Sequence, residues 1–208
     1  MFKNLKIGTR LGLGYAMLIV LMLGMTAMAV VQLRNIDTLA TDIVTNRWPK
    51  TVVASKIIAN VNANTKAVLT LMYMTDAEQM KKTVAEMAEA SKELTAFYAH
   101  LDKTVQGEKG KQILAKIKLA RAAYVNSRKQ AIDLALASQA EQARTMLMKE
   151  TMPFQKEYIA SIDALIADEG QQMEGAGKAI TSIIAESAAT SVAVGLAMLL
   201  LAAARVTL

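Results

Sequence analysis

From Leu11 to Leu33 the chain carries no charged residue, and this run constrains the rest of the molecule more than any other feature. About 23 apolar positions are enough for a helix to cross the hydrocarbon core of a bilayer with some tilt. A cleaved signal peptide is the competing reading, because Ala27-Met28-Ala29 has the form of a small-residue cleavage site. The apolar part of a signal peptide, however, usually runs only about 7–15 residues. A second uncharged run, Ser187 to Ala204, is shorter and rich in alanine. It reads as a second span bounded by Arg205, with a buried core helix as its alternative. Lys3, Lys6 and Arg10 precede the first run, and basic residues beside a span are retained in the cytoplasm. The expected layout is therefore a cytoplasmic basic stub (1–10), a first span (11–33), an extracytoplasmic domain (34–186), a second span (187–204) and a short cytoplasmic end (205–208).

Hydrophobic residues make up 53% of the chain and aromatic residues only 4%. That mixture of Ala, Leu, Met, Val and Ile suits helix bundles and spans rather than sheets. The net charge of +6 arises largely at the ends. Taking the four basic residues that border the spans from the total of 24 leaves 20, against 18 acidic residues. No aromatic residues interleave with the remaining basic ones, so nucleic-acid binding is not expected. There is no cysteine, which excludes disulfides, thiolate metal sites and a cysteine nucleophile.

Between the two runs, apolar residues recur at alternating steps of three and four, the mark of one packed helix face. Met80, Val84, Met87, Ser91, Leu94, Tyr98, Leu101 and Val105 form one such line, and Ile113, Ile117, Ala120, Tyr124, Ser127, Ala131 and Leu134 another. Ile57, Val61, Asn64, Val68 and Leu71 form a third. Thr75-Asp76 with Gln79 reads as a turn and capping box, Gly107 and Gly110 bracket a second turn, and Ser138 with Glu141 reads as a third cap. Four helices follow, at about 32–75, 76–106, 108–137 and 139–187. The expected fold is all-α: an antiparallel up-down four-helix bundle flanked by two transmembrane helices, its first helix about 65 Å long. Methionines such as Met80, Met87, Met148 and Met152 are expected to fill the core.

No catalytic constellation is visible. The single histidine, His100, cannot assemble a histidine metal site and is expected to be solvated. There is no glycine-rich phosphate loop. No cofactor and no metal are expected. What stands out is polarity on packing lines. Arg121, Tyr124 and Arg128 lie at i, i+3 and i+7, one above another on the third helix. A half-buried guanidinium needs an anionic partner; the alternative is two snorkelling arginines paired to surface glutamates. Reflecting positions through the turns places Ser91 level with Tyr124, together with Asn60, Met152 and Gln155, and puts Asn64 and Tyr158 about a turn away. Pro153 lies at the same height and removes a helical hydrogen bond. This polar layer reads either as a binding site or as a device that sets helix register.

The opening MFKNLKIGTRLGLGY, followed by a Leu/Met-rich span, resembles the start of bacterial methyl-accepting chemotaxis receptors. The order of span, helical segment and span is similar to their four-helix-bundle sensor class. The resemblance implies an inner-membrane receptor acting as a homodimer through its first helices, with ligand binding displacing the fourth helix and second span. Gly8, Gly12 and Ala16 offer a small-residue face for contact between spans. In such receptors a linker and a methylated hairpin follow the second span. Neither is present, so the expectation is a truncated receptor that binds ligand and has lost its downstream kinase partners. Two arginines one heptad apart stand about 10 Å apart along the helix and suit a small di- or tricarboxylate such as malate, succinate or citrate. An amino acid, the sensor of a histidine kinase and a ligand-free structural bundle are the alternative readings.

Overall fold

The computed structural model describes residues 7–206. Lys3, Lys6, Thr207 and Leu208 lie outside the described residues, as do the side chains of Arg10 and Arg205. The elements are α1 (Ile7–Asp42), a π-helical turn (Ile43–Arg47), α2 (Trp48–Leu71), α3 (Ala77–Thr104), α4 (Glu108–Leu136), α5 (Ala140–Met146), a second π-helical turn (Leu147–Thr151) and α6 (Met152–Val206). No strand occurs among the described residues, and the fold is all-α. The chain divides into two compact units, 44–173 and the pair of segments 1–43 with 174–208.

The 44–173 unit is the four-helix bundle, built from α2, α3, α4 and the rod that runs from α5 into α6. Ile57, Val61, Asn64, Val68 and Leu71 are all buried on α2, as their spacing requires. Asp76 caps α3, its carboxylate accepting from the Glu78 and Gln79 amides at 2.8 and 3.4 Å. Gly107 precedes α4 with φ of +78° and ψ of 153°, a conformation open essentially to glycine alone. α2 ends at Leu71, four residues earlier than the sequence suggests, and Met72 to Met74 close the turn through 3₁₀-type bonds to the last carbonyls.

Other expectations fail in instructive ways. Ser138 is not an N-cap. It sits at φ +61° just past α4, where its amide bonds Ala135 and that of Gln139 bonds Leu134. This is a Schellman closure of the preceding helix, with serine where glycine is usual. Met148 and Met152 are 55% and 39% exposed, whereas Leu147 and Thr151 are fully buried. The π turn between 147 and 151 explains the exchange, because it adds a residue to one turn and rotates everything after it. Each π turn ends two residues before a proline, Pro49 or Pro153. Proline cannot donate the next i→i−4 bond, and a widened turn accommodates the loss.

The core of the bundle falls into two clusters. One contains Ala54, Ile57, Val61, Leu94, Tyr98, Leu101, Ile117, Tyr124, Tyr158 and Ile162. The other contains Val68, Leu71, Met80, Met87, Ala131, Ala135, Ala143 and Leu147. On every helix a polar stretch lies between them in sequence: Asn64 and Thr65, Ser91, Ser127 and Arg128, and Thr151. Each buried large apolar side chain contributes about 1.5–3 kcal/mol, so a polar layer through the middle gives up a substantial stabilisation.

In the other unit, α1 and α6 beyond Glu174 each include a stretch long and apolar enough to cross a membrane. Many of their large side chains, including Ile19, Val20, Leu23, Val192, Leu199 and Leu200, are more than half exposed. Within this unit the Ser187 hydroxyl donates to the Gln32 side-chain oxygen. A Cβ added to Gly8 or Gly12 would meet nothing within 4 Å.

Candidate ligand-binding site

At the polar layer, against the first of the two core clusters, lies a cavity of about 70 Å³. α2 contributes Asn60, Val61 and Asn64; α3 contributes Ser91 and Leu94; α4 contributes Arg121, Tyr124, Val125 and Arg128; α6 contributes Tyr158. Seven of the eight residues singled out in the sequence therefore line one space: Arg121, Tyr124, Arg128, Asn60, Asn64, Ser91 and Tyr158. Gln155 does not. Its amide donates to the Asn62 side chain at 2.8 Å on the exposed side of α2. The π turn supplies the reason, since reflecting a position through the turn near 138 assumes uniform α-helical winding.

The cavity wall is tied together by hydrogen bonds. The Tyr124 hydroxyl donates to the Val61 carbonyl at 3.2 Å and lies 3.0 Å from the Thr65 hydroxyl. The Asn60 amide reaches the Ala90 carbonyl at 3.2 Å, linking α2 to α3, and Asn64 donates to Asn60. The Tyr158 and Tyr98 hydroxyls bond each other, and the Tyr158 and Tyr124 rings stack with centroids 5.7 Å apart. Burial raises the pKa of both Tyr158 and Tyr98, so both remain neutral phenols. Sequence reasoning placed Tyr98 on a core line without assigning it to the site. Its position opposite Arg121 depends on how α3 and α4 pack.

The two arginines meet no carboxylate. Arg121 stacks 4.3 Å over the Tyr98 ring and Arg128 lies 5.5 Å from the Tyr124 ring. One Arg128 terminal nitrogen donates weakly to the Ser91 hydroxyl at 3.4 Å, and its Nε is buried with no hydrogen-bond partner. Among the described residues neither guanidinium forms an ion pair, although Glu and Asp pair with lysines elsewhere on the bundle. Both arginines are half-buried. Aromatic faces compensate part of the desolvation, but two positive charges at one cavity remain unneutralised. Surface glutamates do not explain them.

His100 is exposed on α3, and no group of three or more His, Asp or Glu side chains that would hold a metal occurs among the described residues. A comparison with curated proteins finds no match. A family model described as a four helix bundle sensory module for signal transduction matches residues 4–182, spanning the whole bundle. With four helices and two apolar spans already in place, the chain belongs to that family, the sensory modules of methyl-accepting chemotaxis receptors.

Proposed function

We propose that this sensory module, held in the inner membrane with its bundle in the periplasm, binds a small dicarboxylate in the cavity between α2, α3, α4 and α6. The observation that carries the reading is the pair Arg121 and Arg128, half-buried at one cavity with no carboxylate of the chain to balance them. A dianion neutralises both and satisfies the buried Nε of Arg128, while the neutral hydroxyls and amides of Ser91, Asn60, Asn64 and Tyr124 supply polar contacts. An amino acid fits less well, because no acidic side chain lines the cavity to receive an ammonium group. At about 70 Å³ the space holds on the order of five waters, which favours succinate or malate over citrate. Two copies of the chain paired through their first helices would carry one such site each.

Calorimetry on the full chain in detergent, with succinate, malate, citrate and aspartate, tests this directly. Arg121→Ala and Arg128→Ala are each expected to lose about 2–4 kcal/mol of binding, as when one partner of a buried charge pair is removed. Unchanged binding in both variants would place the site elsewhere.

A further inference from the structure

The cavity is enclosed on most sides. Val61, Tyr124 and Tyr158 are each 1% exposed and Asn64 is 3% exposed. Val125, in contrast, is 38% exposed. On the outer face of α4 lies a shallow groove of about 370 Å³, formed by Lys118, Arg121, Ala122, Val125, Asn126 and Lys129. Arg121 and Val125 belong to both spaces and so form the partition between them. Arg121 is held in that partition by an aromatic ring and not by an ion pair. It is therefore available to an arriving anion without breaking a salt bridge.

The groove is also the basic approach to the cavity. Lys118 and Lys129 pair with Asp102 and Asp133 at 2.5 and 2.6 Å. Those pairs are largely solvent-exposed, and such contacts hold their partners weakly. An anion crossing the groove meets Lys118 and Lys129, then Arg121, then Arg128. Charges beside an approach change the association rate of an oppositely charged ligand without entering the final complex, and an arriving dianion competes with Asp102 and Asp133 for the two exposed ammoniums.

Building on the dicarboxylate reading, we propose that the cavity is filled through this groove, with Lys118 and Lys129 steering the anion and Arg121 and Val125 forming the doorway. The alternative entrance lies on the α2–α3 side, where Asn60 and Ser91 are half-buried and Lys56 and Lys92 supply the nearby charge. The test uses the full chain in neutral detergent micelles and measures succinate exchange rates from NMR line shapes at several salt concentrations. The double variant Lys118→Gln/Lys129→Gln is expected to lower the association rate roughly 3–10-fold and flatten its salt dependence, leaving the dissociation rate unchanged. Lys56→Gln/Lys92→Gln removes the same net charge from α2 and α3 and is expected to leave the association rate at the parent value. The entry route is overturned if the groove variant associates at the parent rate. It is equally overturned if the two variants slow association alike, because net charge alone would then account for the effect. Failure of the parent chain to bind any of the acids removes the site and its doorway together.

Discussion

Tyr98 and Tyr158, the latter lining the cavity, place two phenols in hydroxyl contact, 5% and 1% exposed respectively. Removal from water disfavours phenolate, and for Tyr158 the neighbouring Tyr98 adds to the same shift. Both groups thus have folded-state pKa values above their unfolded value of about 10. Their contribution is fully present below about pH 10, where folded and unfolded chains are both protonated. Above it the unfolded chain loses these protons first, and stability falls as pH rises, by up to about 1.4 kcal/mol per unit for each tyrosine. Tyr158→Phe is expected to cost about 1 kcal/mol at pH 7 through the lost hydrogen bond, and to lose less stability than the parent between pH 10 and 11. Thermal unfolding followed by circular dichroism at pH 8, 10 and 11 reads the difference. Equal alkaline losses in the two proteins would show that this pair does not set the pH dependence.

At the scale of elements, turns and helix ends hold the less obvious determinants. Ser138 accepts a left-handed backbone to close α4, where an L side chain is strained and glycine is not. Ser138→Gly is expected to raise stability by about 0.5–1 kcal/mol without altering ligand binding, as read from melting temperatures and calorimetry. A second determinant joins the starts of α2 and α4 to α6. Lys50 and Glu169 are 3% and 4% exposed and pair at 3.1 Å, with Arg47 also 3.5 Å from Glu169. Asp168 next to it pairs with Lys109 at 2.6 Å. Such a pair is a poor source of net stability, yet costly to break from one side. Glu169→Leu alone leaves the Lys50 ammonium buried beside an apolar group, and is expected to cost about 3–5 kcal/mol. Adding Lys50→Met removes the stranded charge and should recover most of that loss. A double variant no more stable than Glu169→Leu would mean that Lys50 escapes to water once its partner is gone.

For the whole molecule, the division into a bundle and a pair of apolar segments carries the functional reading. The bundle spends its middle layer on polar side chains, while the apolar segments expose surface that water penalises at about 25 cal/mol per Å² and lipid does not. The proposed orientation puts the turn at Gln106 outside the cytoplasm and Val206 within it. Because the chain contains no cysteine, single Gln106→Cys and Val206→Cys variants report each position alone. A membrane-impermeant thiol reagent on spheroplasts is expected to label the first directly, and the second only after permeabilisation. The reverse pattern would invert the topology.

The all-α class, the two long apolar stretches and the register of the α2, α3 and α4 core lines were legible in the sequence, because each follows from local periodicity and hydrophobic run length. So was most of the polar layer. Asn64, Ser91 and Tyr124 interrupt those lines, with Arg128 on the line beside them, at heights that hairpin reflection brings together, and short turns make that reflection accurate to about a helical turn. The packing decided the rest. Gln155 and Met152 were misplaced because a π turn before Pro153 rotates the rod that carries them, and Met148 because it lies within that turn; winding of that kind leaves no mark in apolar spacing. Whether Arg121 and Arg128 paired with surface glutamates or faced a cavity unpaired was likewise open in the sequence. Charge balance around a side chain depends on which neighbours four packed helices bring within a few ångströms, and only the tertiary structure sets those distances.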